Sequence, residues 1–139
     1  FAKEGAKVVA ASNQEADGKA LAEELTMAGK DVRFVVCDVS REESVAGLVG
    51  EAKEAHGRID GVHCNAGVWG QGKVGDFSEA EWDRIMAVNA KSVFLGTKHA
   101  IPAMRRAGGG SIVNLASVSG FQGSYCAAAY SASSNVLKI

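Results

Sequence analysis

Short apolar runs alternate along the chain with stretches whose apolar residues recur every three to four positions. Val8 to Ala11, Val32 to Cys37, Ile59 to Cys64 and Ser111 to Ala116 read as buried strands. Between the first two, Ala16, Ala20, Leu21, Leu25 and Ala28 share a helical face, with Asn13 as candidate N-cap and Gly29 as the stop. Ser40 and Glu43 have the spacing of a capping box, ahead of a helix with Val45, Leu48, Val49 and Ala52 inward and Gly57 at its end. Ser78 and Glu81 repeat that spacing at the head of a long helix carrying Trp82, Ile85, Met86, Val93 and Ile101, which Pro102 is expected to kink or end. Gly108 to Gly110 form a turn, and the chain from Tyr125 onward has helical character.

Strands alternating with helices of this length predict βαβ units, hence an α/β fold with a doubly wound parallel sheet (a Rossmann fold) covered on both faces. No linker, repeat or low-complexity stretch divides the 139 residues, and 47% hydrophobic content suffices for one core. Residues 1–139 are therefore read as one domain. Phe1 to Gly5 has the form of a final helical turn closed by glycine, and Lys138-Ile139 falls inside an apparent helix. The expectation is a central fragment, incomplete at both ends.

Charge narrows the function classes. The net charge is -1, the longest basic run is Arg105-Arg106, and aromatics are few, so nothing resembles a nucleic-acid footprint. No long apolar span suggests a membrane, and the expectation is a soluble cytoplasmic protein. Cys37, Cys64 and Cys126 are odd in number and far apart, which fits buried thiols better than a disulfide or a metal site. His56, His63 and His99 lack ligand spacing, so no metal is expected.

Candidate chemistry gathers at the strand ends, where open α/β sheets bind ligands. Ser12, Asn13, Asp38, Asn65 and Ser117 each follow an apolar run. Asn13 is read as a cap. Asp38 and Asn65 are read as ligand contacts, because Ser40 is available as the helix cap and Asn65 opens a long loop. Gly70, Gly72 and Gly75 spell G-x-G-x-x-G, but five residues separate Cys64 from Gly70, too many for the tight strand-to-helix turn that a dinucleotide needs. That stretch is read as a flexible substrate-side loop.

Taken in order, Asp38-Val39, Asn65-Ala66-Gly67, Asn89, Ser117 and, thirteen positions on, Tyr130 resemble the landmarks of the short-chain dehydrogenases. The stretch Gly110 to Ser117 is similar to the strand that delivers that family's serine. The resemblance covers the whole chain, and places the family's first strand and glycine-rich phosphate loop before Phe1. It implies a nicotinamide-dependent oxidoreductase acting on a small alcohol or ketone, such as an acyl thioester ketone or a sterol. Tyr130 is then the general acid/base, Ser117 the hydrogen-bond donor to the substrate oxygen, and Asn89 the anchor of a relay water. Ser12, Asp38, Val39, Asn65, Ala66, Gly67 and Tyr130 would line the cofactor. Family members are usually tetramers packed through the helices bearing Asn89 and Tyr130.

One position departs from the pattern. The family has lysine one helical turn after the tyrosine, where this chain has Ser134. A free tyrosine has a pKa of about 10, so alcohol oxidation needs a nearby cation to favour the phenolate. Ser134 supplies none, and Lys138 is about 12 Å from Tyr130 by helix rise. Slow alcohol oxidation with better-retained carbonyl reduction is expected. Neither Ser12 nor Asn13 is acidic, which favours NADP over NAD as cofactor. The alternative is a catalytically impaired Rossmann protein that binds a nucleotide or a partner without turnover. An unrelated flavodoxin-like regulatory domain would need an exposed acidic pocket, and Asp38 alone does not make one.

Overall fold

A computed structural model describes residues 1–135, and Lys138 lies outside them. The order of elements is β1 (Val8–Ser12), α1 (Glu15–Met27), β2 (Val32–Val36), α2 (Glu42–His56), β3 (Gly61–Cys64), α3 (Glu79–Met86), α4 (Ser92–Arg106), β4 (Ser111–Asn114) and α5 (Ala128–Asn135). The predicted strands and helices all form, with boundaries moved by a few residues. The α/β class follows from parallel pairing of β1 with β2 and of β3 with β4. The sheet is not continuous, however: the described strands form two separate pairs. The first pair is joined by α1, the second by α3 and α4. The edge of the Phe1 ring meets the His63 ring with centroids 6.0 Å apart, linking the start of the chain to β3.

Pairing brings the strand ends into line. The Cys37 N–H donates to the Ser12 carbonyl (3.0 Å), so Ser12 and Asp38 leave the first pair together. In the second pair the Leu115 N–H donates to the Cys64 carbonyl (3.0 Å), which places Asn65 and the approach to Ser117 on one edge.

Local capping differs from the expectation in two places. Gln14, not Asn13, precedes α1, and the Ser12 hydroxyl accepts its N–H (3.1 Å). Ser40 does not cap α2, which starts after an extended Arg41. The Asp38 carboxylate takes both the Ser40 hydroxyl (2.7 Å) and its N–H (3.0 Å), and such charge-assisted bonds outcompete a neutral cap. Glu42 and Glu43 still complement the helix dipole in the first turn. At the end of α1 the expectation holds. Gly29 adopts φ +74, its N–H reaches the Thr26 carbonyl and the Lys30 N–H reaches Leu25, a Schellman closure that needs the left-handed residue.

The long helix contains a feature the pattern did not announce. Ser78 caps α3 as expected, accepting the Glu81 N–H (3.2 Å), while the Glu81 carboxylate turns to Arg84. Between α3 and α4 lies a π-helical turn, Ala87–Lys91. Such a turn inserts a residue into the helical register and re-aims the side chain it carries, here Asn89. Pro102 does not end the helix, which runs on to Arg106.

Two clusters of buried side chains stand out among the described residues. Ile59, Ala100, Ala103 and Met104 pack with Val49, Ala52, Val62 and Ile112; Cys37, Val45 and Leu95 pack with Val39 and Leu48. In both, α4 meets α2, so one helix pair supports both strand pairs. All three cysteines are free, and burial pushes the Cys64 thiol up. No helix among the described residues is long and apolar enough to cross a membrane.

Leu95 is 1% exposed, and Leu95→Ala should cost about 2–5 kcal/mol in urea unfolding. A loss below about 1 kcal/mol would remove it from the core. On the outer side of the same helix pair, Lys98 Nζ (2.6 Å) and His99 Nε2 (3.1 Å) converge on one Glu42 oxygen. The Lys98 hydrogen bond, then that of His99, holds the Glu42 carboxyl below its usual range. A depressed carboxylate adds stability above its unfolded pKa of about 4.3 and loses it as pH falls through the folded value. Glu42→Gln should therefore flatten the stability profile below about pH 4.3, measured by urea midpoints at stepped pH, and leave the profile between pH 5 and 6 nearly parallel.

Candidate active site

Tyr130 lies in the first turn of α5, half-buried, and its surroundings are built by the loop after β3 and by the π-helical turn. The centre of the arrangement is Asn89, only 6% exposed. Its Oδ1 accepts the Val68 N–H (2.8 Å) and its Nδ2 donates to the Val68 carbonyl (3.0 Å). Satisfying both Val68 groups fixes which end of the amide is which. Nδ2 also donates to Ser133 Oγ (3.1 Å), and that hydroxyl donates to the Tyr130 carbonyl (2.9 Å). Asn89 thus ties the loop after β3 to the helix that carries Tyr130. Its side-chain amide is committed to protein partners.

The loop so held presents Trp69 against Tyr130, ring centroids 4.4 Å apart and tilted by 58°. Gly70 is buried beneath it: a Cβ there would stand 2.3 Å from Ile85 Cδ1. The Gly72 N–H donates to the Cys126 carbonyl (2.7 Å), joining the loop to the segment that enters α5. Gly70 and Gly72 of the G-x-G-x-x-G stretch sit in close contact with Ile85 and Phe77, whereas Gly75 has open space around it. Trp69 escaped the sequence reading. Its one signal was an aromatic residue in a loop that leaves a strand end.

Ser117 sits at the head of a short 3-10 turn, Val118–Gly120, and its Oγ accepts the Ser119 N–H (3.2 Å). That turn packs on α5: Asn135 Nδ2 donates to the Gly120 carbonyl (2.9 Å), and a Cβ on Gly120 would meet the Ser134 carbonyl at 2.7 Å. Ser117 and Tyr130 therefore occupy elements in direct contact. Tyr125, the other tyrosine, is 84% exposed in the preceding turn. Ser134 is buried, so the place of the expected lysine faces the interior of this junction.

The remaining site residues line the strand ends. Asn65, Ala66 and Gly67 are exposed, and a Cβ on Gly67 would stand 3.6 Å from Asn89 Oδ1. Asp38 is exposed beyond β2, and its carboxyl is held below the usual range by the Ser40 hydroxyl and then the Ser40 N–H. Val39 packs on the Cys37 cluster, and Ser12 is half-buried at the end of β1. Exposed hydrogen-bonding groups on one edge, with a side-chain-free Gly67 among them, fit an extended polar ligand lying across the strand ends.

Asn89→Ala would orphan both backbone groups of Val68, and unsatisfied buried groups cost about 1–3 kcal/mol each. A loss of about 2–4 kcal/mol in urea unfolding is expected for Asn89→Ala, and one below 1 kcal/mol would refute the clamp. Asn89→Asp keeps only the acceptor and should fall close to the alanine variant.

The profile of the short chain dehydrogenase family matches residues 1–137. Over 138 residues the chain is 42% identical to trans-4-hydroxycyclohexanecarboxylate dehydrogenase of Sinomonas cyclohexanicum, covering 95% of this chain and 53% of that protein. Over 139 residues it is 38% identical to cyclopentanol dehydrogenase of Comamonas sp. (strain NCIMB 9872), covering 100% of this chain and 56% of that one. A variant of actinorhodin polyketide ketoreductase solved with NADPH superposes with a TM-score of 0.93 at 34% identity, over 97% of this chain and 52% of its own. The chain spans about half the length of these relatives. Its fold is the Rossmann fold of these enzymes, and the chain belongs to the short-chain dehydrogenase family.

Proposed function

We propose that the chain carries the acid/base centre of an NAD(P)-dependent oxidoreductase that interconverts a small secondary alcohol and its ketone. The observation that carries this reading is the tether from Asn89 through Ser133 to Tyr130, on a helix packed against the turn that presents Ser117. In oxidation the Tyr130 oxygen takes the hydroxyl proton while hydride leaves the carbinol carbon. In reduction the phenol returns that proton to the carbonyl oxygen. Ser117 donates a hydrogen bond to the same oxygen and supports the charge that develops there. A bound nicotinamide supplies the hydride acceptor or donor. Ser12, Asp38, Val39, Asn65, Ala66 and Gly67 would hold it along the strand ends.

The names of the relatives, dehydrogenases of cyclic alcohols and a ketoreductase, support the alcohol–ketone class. The absence of an acid at Ser12 and the NADPH in one neighbour favour NADP. A second reading, nucleotide or partner binding without turnover, is favoured by Ser134 alone, since no cation then stands one turn beyond Tyr130. Ser117, Asn89 and Tyr130 weigh against it. We further infer a homo-oligomer that uses the helices bearing Asn89 and Tyr130.

The test uses the complete gene product with a cyclic ketone and either NADPH or NADH. Tyr130→Phe should lower kcat about 10²–10⁴-fold, the range for loss of a general acid/base. Ser134→Lys should raise alcohol oxidation at least about tenfold, and ketone reduction less, because a cation there favours the phenolate. Full turnover in Tyr130→Phe, or an unchanged rate in Ser134→Lys, contradicts the assignment.

A further inference from the structure

We propose that Trp69 is a specificity-determining residue of the same site, a fixed apolar wall that selects substrates whose reacting carbon belongs to a ring. The inference rests on the reading of Tyr130 as the acid/base, and adds the substrate shape. Trp69 leans against the Tyr130 ring, centroids 4.4 Å apart and planes inclined by 58°, yet it remains 52% exposed. An indole both anchored and half in water offers a flat face whose covering by an apolar ring removes unfavourable hydration.

The anchoring is specific. On one side Asn89 holds both backbone groups of Val68; on the other, buried Gly70 is seated on Ile85, whose side chain would have to shift to admit a Cβ there. The backbone around Trp69 therefore has little freedom, and the indole's contact with the tyrosine is set in advance. A preorganised surface gains affinity because little ordering remains to be done on binding. A rigid ring placed at Tyr130 meets this face with its own flat side. An acyclic chain covers less of it and loses rotational freedom in doing so. The chemistry that fits is an uncharged alicyclic or aromatic ring bearing the alcohol or carbonyl.

Emission of the complete gene product, minus that of Trp69→Phe, isolates the Trp69 signal. Cyclohexanone should quench this difference signal saturably, and 2-butanone at least fivefold more weakly. In kinetics, Trp69→Ala should raise KM for cyclohexanone tenfold or more, and its loss of kcat/KM for cyclohexanone should exceed that for 2-butanone at least fivefold. Trp69→Leu serves the same comparison if the alanine variant melts early. Equal quenching by both ketones, equal kinetic losses for both, or no effect overturns the proposal. Tyr130→Phe separates the two claims: it should abolish turnover and leave the cyclohexanone quenching intact. Retained turnover there defeats the acid/base reading, whereas a ketone-independent Trp69 signal defeats the wall.

Discussion

A single buried amide organises the candidate site of this chain. Asn89 binds both backbone groups of Val68 and reaches Ser133, so it joins the loop after β3 to α5. The π-helical turn places that amide where a regular helix would have rotated it elsewhere. Unsatisfied, the same atoms would be costly; satisfied, they fix the contact of Trp69 with Tyr130 without any contribution from a ligand. The strand ends and this clamp together frame the candidate site.

Beneath the clamp, α4 does most of the structural work. It contributes Leu95 to one core cluster and Ala100, Ala103 and Met104 to the other. The helix thereby supports strand pairs that share no ladder of their own, with α2 as its partner and Glu42 bridging to Lys98 and His99 outside. A defect in this pair would reach the site through the π-helical turn, which is continuous with α4.

Much of this was legible in the residues. Val8, Val32 and Ile112 lie in short apolar runs whose period and punctuation leave little choice but buried parallel strands, and Gly29 and Ser78 end and start helices for reasons local to a few atoms. Ser117 and Tyr130 were legible because their spacing resembles a family's, not because physics alone demands it. The failures have physical causes. Ser40 looked like a cap, but an ionised Asp38 two residues away competed for its hydroxyl. The clamp that Asn89 closes on Val68 was not legible, because a side chain's partners depend on a loop twenty residues earlier. The π-helical turn leaves no mark in hydrophobic period, since it shifts the register by a single residue. Trp69 was invisible for the same reason as the clamp: its importance arises from a contact across the fold.

The central claim is that Asn89 locks the loop after β3 to α5, and native-state hydrogen exchange at the Val68 amide tests it most directly. The Val68 N–H should be protected well beyond that of exposed Asn65, and Asn89→Ala should erase this protection while the β3 amides retain theirs. A Val68 amide that exchanges as fast as Asn65 in the unaltered protein, or that keeps its protection in Asn89→Ala, would contradict the account.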